Sequence, residues 1–186
     1  MPSFASYLQR LSTINGLGTG HPVQWLFYPG MLFSSRDKWW GDFQFRPLPH
    51  EGMDICWYRR SPHDRTLLCF TPEIRVPAME DGILVNVCDD FLGRTLVVEK
   101  PFQTPQDHRV VMVYAHVVPE PELALQDRIK AGQIIARVCD TKKNPLLPPH
   151  LHLSCFELFT PAADADLTWT LFTDPDKINM ILPQFL

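Results

Sequence analysis

The feature that most restricts the fold of this 186-residue chain is a series of short β-prone runs, separated by turn residues, that begins after Asp54. Apolar side chains alternate along these runs, as at Ile83, Val85 and Val87, which is the period of a strand with one buried face. The runs cover residues 74–78, 83–88, 95–99, 110–116, 133–138 and 151–158. They predict a mainly β fold, an antiparallel β-sandwich or barrel-like sheet.

The two ends of the chain have a different pattern. Residues 3–11 predict a short helix, because apolar side chains recur there at spacings of four and three, and Asp174 followed by proline predicts a second helix over 174–182. Residues 25–40 are rich in aromatic side chains and irregular, which indicates a segment that packs across the core. The predicted division is an N-terminal extension over 1–38, a central domain over 39–160 and a C-terminal tail over 161–186.

Composition excludes several classes of protein. Seventeen basic and 21 acidic residues give a formal net charge of −4, so the chain lacks the basic patch that nucleic acid attracts, and we expect no nucleic-acid partner. No apolar run is long enough to span a bilayer, and the N-terminal residues lack a signal-peptide pattern, which leaves the compartment open. Five cysteines without a CxxC pair predict free, mostly buried thiols.

Histidine placement points to chemistry. His150 and His152 are two residues apart in a β-prone run, so both side chains leave the same face of the strand. His50 and Asp54 flank Gly52, where a turn into a strand brings an imidazole and a carboxylate round one cation. His116 ends another run. Histidine and carboxylate are zinc ligands, and two nitrogens with one oxygen and an open fourth position form a catalytic site.

Six blocks of the chain resemble, in their order, the lysostaphin and LytM type of zinc endopeptidase. They are "HEGMDI", "VPAMEDGILVNV", "LGRTLVVEK", "MVYAHV", "IKAGQIIARV" and "PPHLHLSCFE", and the resemblance covers roughly residues 45–158. The order of all six is much more specific than any single block. The resemblance implies a two-layer antiparallel β fold with a groove, one zinc ion, and hydrolysis of peptide bonds in bacterial cell-wall peptidoglycan.

The resemblance also implies a role for each matched residue. His50, Asp54 and His152 become the zinc ligands, while His116 and His150 become the catalytic pair. One of the pair accepts the proton of the attacking water, and the other stabilises the tetrahedral oxyanion; the sequence leaves open which does which.

Two further residues are candidate substrate contacts, and for each the alternative is an ordinary solvent-exposed side chain. Arg46 matches a basic residue just ahead of the first block, and His63 lies in a long charged loop between the first and second blocks. The chain departs from the family before His150, where the family's glycine-rich turn is replaced by the proline-rich stretch 144–149, which predicts a stiffer groove rim.

Two other functions remain open. The chain can be a non-catalytic LytM-like module that binds or activates cell-wall hydrolases, although such modules typically lack ligands that this chain retains. The second and fifth blocks also resemble biotinyl and lipoyl carrier domains, but no lysine replaces Met79 or Glu80 at the expected turn.

Overall fold

A computed structural model describes residues 3–101, 108–141 and 146–182. In these ranges the chain forms two α-helices and eleven strands. The helices are α1 (Phe4–Ile14) and α2 (Trp169–Phe172). The strands are β1 (Gln24–Leu26), β2 (Gly52–Ile55), β3 (Trp57–Arg59), β4 (Arg75–Pro77), β5 (Gly82–Asp89), β6 (Arg94–Glu99), β7 (Arg109–Pro119), β8 (Arg128–Ile129), β9 (Ile134–Val138), β10 (Leu151–Leu158) and β11 (Ile178–Met180).

The prediction of a mainly β, antiparallel fold is confirmed. Within the described residues, nine strands form one antiparallel sheet whose main order is β11-β10-β7-β6-β5-β8, while β1 and β3 form a separate pair. Off this main path, β2 pairs with β10, and β9 joins β7 to β4. Each of the six predicted runs overlaps a strand of this sheet, and the predicted bounds of 151–158 match β10.

Strand alternation divides the sheet into two buried faces. Tyr114 of β7 and Leu153 of β10 belong to the larger core, together with the apolar face of α1. Val113 and Phe156 belong to a smaller core, which the chain after β10 covers through Leu171 and its neighbours. The face of the smaller core continues along β10 to His152, because residues two apart on a strand share a face.

The predicted helix over 174–182 is wrong. Residues 174–177 form turns, and β11 follows them by pairing with β10, Ile178 opposite Leu158 and Met180 opposite Phe156. Ile178 contributes to the smaller core, so pairing with the sheet edge prevails over the local helix-start signal of Asp174 and Pro175. The C-terminal helical segment is instead α2, which lies earlier in the chain.

The aromatic segment 25–40 is largely irregular, as predicted. It contains β1 and one 3-10 turn, Pro29–Met31, and Met31 and Trp39 are buried in the larger core. Residues 29–50, called the strap below, return the chain to β2. Among the described residues, no helix has the length and apolar character needed to cross a membrane.

Candidate metal centre

Three side chains from distant parts of the sequence bring their donor atoms together. His50 Nε2 lies 3.1 Å from Nδ1 of His152 and 3.3 Å from Oδ1 of Asp54. The Nδ1 of His152 lies 2.9 Å from the same Oδ1, and all three residues are buried. Tetrahedral zinc with bonds of about 2.1 Å separates its ligand atoms by about 3.3 Å. The three side chains predicted as ligands therefore have the spacing that a metal ion requires.

Each candidate histidine ligand has one ring nitrogen pointing into the cluster and one pointing away from it. The hydrogen bond of the nitrogen that points away decides which nitrogen of the ring carries the proton. His50 Nδ1 faces the carbonyl oxygen of Leu32 at 3.1 Å, and a carbonyl only accepts, so this nitrogen carries the proton. His152 Nε2 lies 2.6 Å from Oγ of Ser154, which accepts a hydrogen bond from Nε2–H when Nδ1 binds a cation. Both rings can thus direct a bare nitrogen to one point.

The antiparallel pairing of β2 with β10 determines the positions of Asp54 and His152. Asp54 lies opposite His152, and Gly52 lies opposite Ser154. A Cβ atom at Gly52 would approach Ser154 Oγ to 2.4 Å and His152 Nε2 to 2.8 Å, so glycine leaves room for the hydrogen bond between them. The sequence predicted a turn at Gly52; it is the first residue of β2 instead.

The strap holds the outer oxygen of Asp54. Trp39 Nε1 donates to Oδ2 at 2.6 Å, and Arg46 Nη2 lies 3.4 Å from the same atom. Arg46 also donates to the carbonyl of Gly30 and stacks over the ring of Trp40. Arg46, predicted to contact substrate, therefore lies against a candidate ligand at the cavity wall, and Trp39 is a partner that the sequence did not indicate.

The electrostatics of Asp54 favour its carboxylate form. Burial alone would raise the pKa of Asp54, but the charge of His50 and the hydrogen bonds from His152 and His50 outweigh it. The pKa is held well below its usual range, so the group is an anion at neutral pH.

His150 presents a neutral ring to the same centre. Its Nδ1 lies 2.9 Å from the carbonyl oxygen of Pro148, which places the proton there, and its Nε2 lies 3.8 Å from Oδ1 of Asp54. Burial lowers the pKa of His150 to about 3, against a smaller opposing effect of Asp54. The ring is therefore neutral at neutral pH, with its proton on Nδ1 and its lone pair on Nε2.

His116 reaches the site through a β-bulge. Arg94 lies opposite Val117 and Leu96 opposite Tyr114, so Thr95 alone faces two residues of β7. Strict alternation from Tyr114 would turn His116 towards the larger core. The bulge, with φ of 63° at His116, turns it to the groove face instead, where its ring lies 4.8 Å from that of His150.

A cavity of about 600 Å³ opens over these side chains. Asp54, His116, His150 and His152 line it, and so does Arg46. Its remaining wall is largely aromatic and aliphatic, with Trp40, Leu48, Phe91, Leu147 and Trp169. His63, the other predicted substrate contact, is exposed and does not line this cavity.

The proline-rich rim is only partly described. Pro148 supplies the carbonyl that accepts from His150, and Leu147 lines the cavity. Asn144 and Pro145, which belong to the predicted stiff rim, lie outside the described residues.

Comparison with known proteins found similarity to solved structures and to nothing else that was compared. No protein-family model and no curated protein matches the chain. The chain is 16% identical to the catalytic domain of the prophage-encoded M23 protein EnpA from Enterococcus faecalis, with a TM-score of 0.48, over 89% of this chain and 92% of that chain. It is 19% identical to the catalytic domain of lysostaphin from Staphylococcus simulans, with a TM-score of 0.42, over 62% and 71% of the two chains.

A zinc-containing peptidase from Vibrio cholerae is also similar, at 19% identity and a TM-score of 0.46, over 80% of this chain and 37% of that chain.

Proposed function

We propose that this protein is a zinc-dependent metalloendopeptidase that hydrolyses peptide bonds of bacterial cell-wall peptidoglycan. The observation that carries the proposal is the convergence of His50, Asp54 and His152, with donor atoms 2.9 to 3.3 Å apart, beside a cavity that two more histidines enter. The choice of peptidoglycan rests on the order of the six sequence blocks.

The three side chains fit a zinc ion. With its proton on Nδ1, His50 directs a bare Nε2 at the Nδ1 of His152, 3.1 Å away, and such a pair needs a proton or a cation between its two nitrogens. Two imidazoles and one carboxylate are a donor set of catalytic zinc sites. The chemistry that zinc supplies when bound is Lewis acidity, which polarises a carbonyl and makes water a stronger acid.

His116 and His150 perform the proton transfers. Both rings line the cavity, and each can turn Nε2 towards a substrate that lies over the ligands. One accepts the proton of the attacking water and passes it to the leaving amine, and the other, when protonated, donates to the tetrahedral oxyanion. Arg46 contributes by holding Asp54 in place at the cavity wall.

Metal content and hydrolysis, measured on the same samples, test the function. Protein stripped of metal and given one equivalent of zinc should bind one ion and cleave peptidoglycan or its peptides. His152→Ala should lose both properties. His150→Ala should keep the ion but lose about 10²- to 10⁴-fold in rate, which is the range of general acid–base catalysis.

His21→Ala, a change of an exposed histidine outside the cavity, is the matched control and should keep wild-type activity. Hydrolysis that persists in chelator, or that is unchanged in His150→Ala, would contradict the proposal. Stoichiometric zinc without hydrolysis would favour the non-catalytic cell-wall module instead.

A further inference from the structure

Asp90, which follows β5, is a buried carboxylate surrounded by donors. Its side chain is 1% exposed. Oδ1 accepts from the backbone N–H groups of Leu92 and Gly93, at 2.8 and 2.7 Å, and lies 3.1 Å from Nδ1 of His116. Oδ2 accepts from Oγ1 of Thr95 and from the backbone N–H of His116, each at 2.9 Å.

This environment keeps Asp90 ionised and makes it an acceptor only. Burial alone would raise the pKa of Asp90, but the hydrogen bonds and charge of His116, together with the Gly93 amide, lower it overall. Because an ionised carboxylate cannot donate, the proton between Asp90 and the His116 ring belongs to Nδ1 of the histidine. Nε2 of a neutral His116 is therefore the nitrogen without a proton.

The two histidines of the proposed catalytic pair differ in the group that faces Nδ1 of the ring. Nδ1 of His150 meets a neutral carbonyl, that of Pro148, whereas Nδ1 of His116 meets the Asp90 carboxylate. A carboxylate at this position stabilises the imidazolium ion, and a carbonyl does so much less. His116 is thus the member of the pair whose ring is built to carry positive charge.

The same carboxylate holds the backbone that aims the ring. A residue with a side chain is strained at φ of 63°, and the bulge takes the His116 N–H out of the regular ladder. Oδ2 of Asp90 accepts that N–H. Thr95, opposite the bulge, donates to Asp90 and accepts from Nε1 of Trp169, which joins this network to the cavity wall.

The geometry points to Asp90 as a positioning residue for His116: it keeps the ring proton on Nδ1, leaves Nε2 to exchange protons with substrate, and balances the charge when Nε2 is protonated. The inference rests on the proposed function for its catalytic consequence. Its structural part, the position of the ring proton, is measurable without any turnover.

Nitrogen NMR of the full chain, labelled with ¹⁵N-histidine and loaded with zinc, tests the ring directly. At about pH 8, above the ordinary pKa of histidine, the wild-type spectrum should show His116 as the Nδ1–H tautomer. Asp90→Ala should lose that tautomer or mix it with the Nε2–H form. A wild-type His116 that carries its proton on Nε2 overturns the proposal without any variant, and so does an Nδ1–H tautomer that persists in a folded Asp90→Ala.

Kinetics supply the second readout. Asp90→Asn, which removes the charge with little change in shape, should lower kcat by about 10²-fold or more, leave KM within a few-fold, and keep one zinc per chain. Glu73→Gln is the charge-matched control, because Glu73 is 88% exposed and lies outside the cavity; it should match the wild type.

An effect on KM or zinc content alone would overturn a positioning role. If wild-type protein hydrolyses no peptide at all, the metallopeptidase proposal fails, while the tautomer spectra still decide whether Asp90 holds the ring.

Discussion

The candidate metal centre is built from two regions of unlike structure. On the sheet side, Asp54 and His152 lie opposite each other on β2 and β10, where ladder hydrogen bonds fix their positions, and His116 follows from the bulge in the neighbouring β7. On the strap side, His50 and its partners come from residues 29–50, which contain one 3-10 turn and one isolated bridge, between Asp37 and Phe45. The strap nevertheless supplies one ligand and the outer partners of two.

The strap keeps its shape through a few backbone contacts that cross it. Ser34 donates to the carbonyl of His50 at 2.7 Å, and His50 donates to that of Ser35 at 2.8 Å. Arg46 donates to the carbonyl of Arg36 at 2.7 Å. Segments with few such contacts open at lower free energy than a sheet interior. We therefore expect the strap, with the candidate ligand His50, to open at a lower free energy than the paired strands that hold Asp54 and His152.

The largest expected effect is a loss of stability in acid, which we attribute to His150, the residue before β10. The folded pKa of His150 is about 3, below its ordinary value of 6.5, so only the unfolded state binds the proton between these values. The free energy of unfolding of metal-free protein should therefore be highest above pH 6.5 and fall as the pH decreases. His150→Gln should remove about 3 kcal/mol of this fall between about pH 7 and pH 4, where the slope reaches at most about 1.4 kcal/mol per pH unit.

Urea unfolding at a series of pH values, in the presence of chelator, measures the effect. His21→Gln is the control, because an exposed histidine changes the charge without a buried ring. Equal slopes in wild type and His150→Gln would show that the sheet side does not hold His150 neutral.

A methyl group at Gly52 should disturb the sheet side by a smaller amount. The Cβ would lie 2.5 Å from the carbonyl oxygen of Leu153 and closer still to Ser154 Oγ, so the β2 and β10 backbones must separate. We expect Gly52→Ala to lower the free energy of unfolding by about 2 kcal/mol and to weaken zinc binding. Denaturant melts and zinc titration test this.

Gly41→Ala is a matched control for the glycine itself. Its Cβ would meet no atom within 4 Å, although its φ of 65° adds some strain. Comparable losses in zinc affinity for the two variants would argue that the close approach at Gly52 is unimportant.

The smallest effect on stability should come from the strap. Trp39→Phe removes the N–H that donates to Oδ2 of Asp54, a buried hydrogen bond to a charged group worth about 1.5 kcal/mol. Zinc affinity should fall by about tenfold, because outer partners of ligands contribute that much or more. Isothermal titration with zinc, beside urea melts, separates the two quantities.

Trp25→Phe makes the same chemical change where the ring packs on Tyr58 and Phe70, and it should leave zinc affinity unaltered. If Trp39→Phe also left it unaltered, the strap would only cover the site and not support it.

The local sequence pattern was sufficient to predict most strands of the sheet and the side chains that share one face of a strand. The run 151–158 predicted both the bounds of β10 and the common face of His150 and His152, because alternation is a local property. The helix over 174–182 was wrong, since the open edge of β10 lies far away in sequence.

The partners of the site residues could not be predicted. Trp39 meets Asp54 across 15 residues, Leu32 meets His50 across 18, and Asp90 meets His116 across 26. Asp90 in particular lies in a turn between β5 and β6, where aspartate is common for local reasons. Only the folded chain, through the strap and the turn after β5, brings these pairs together.

The bulge in β7 has a consequence for how this chemistry can be gained or lost. Removing His116 would restore regular alternation, so that Ala115 would be the residue facing the groove before Val117 returns to the larger core. The groove would then lose its histidine without any substitution elsewhere, whereas removing Ala115 would keep His116 in the groove as the residue after Tyr114. In descendants of such a chain, the length of β7 between Tyr114 and Val117 is therefore as informative as the identity of the residues it contains.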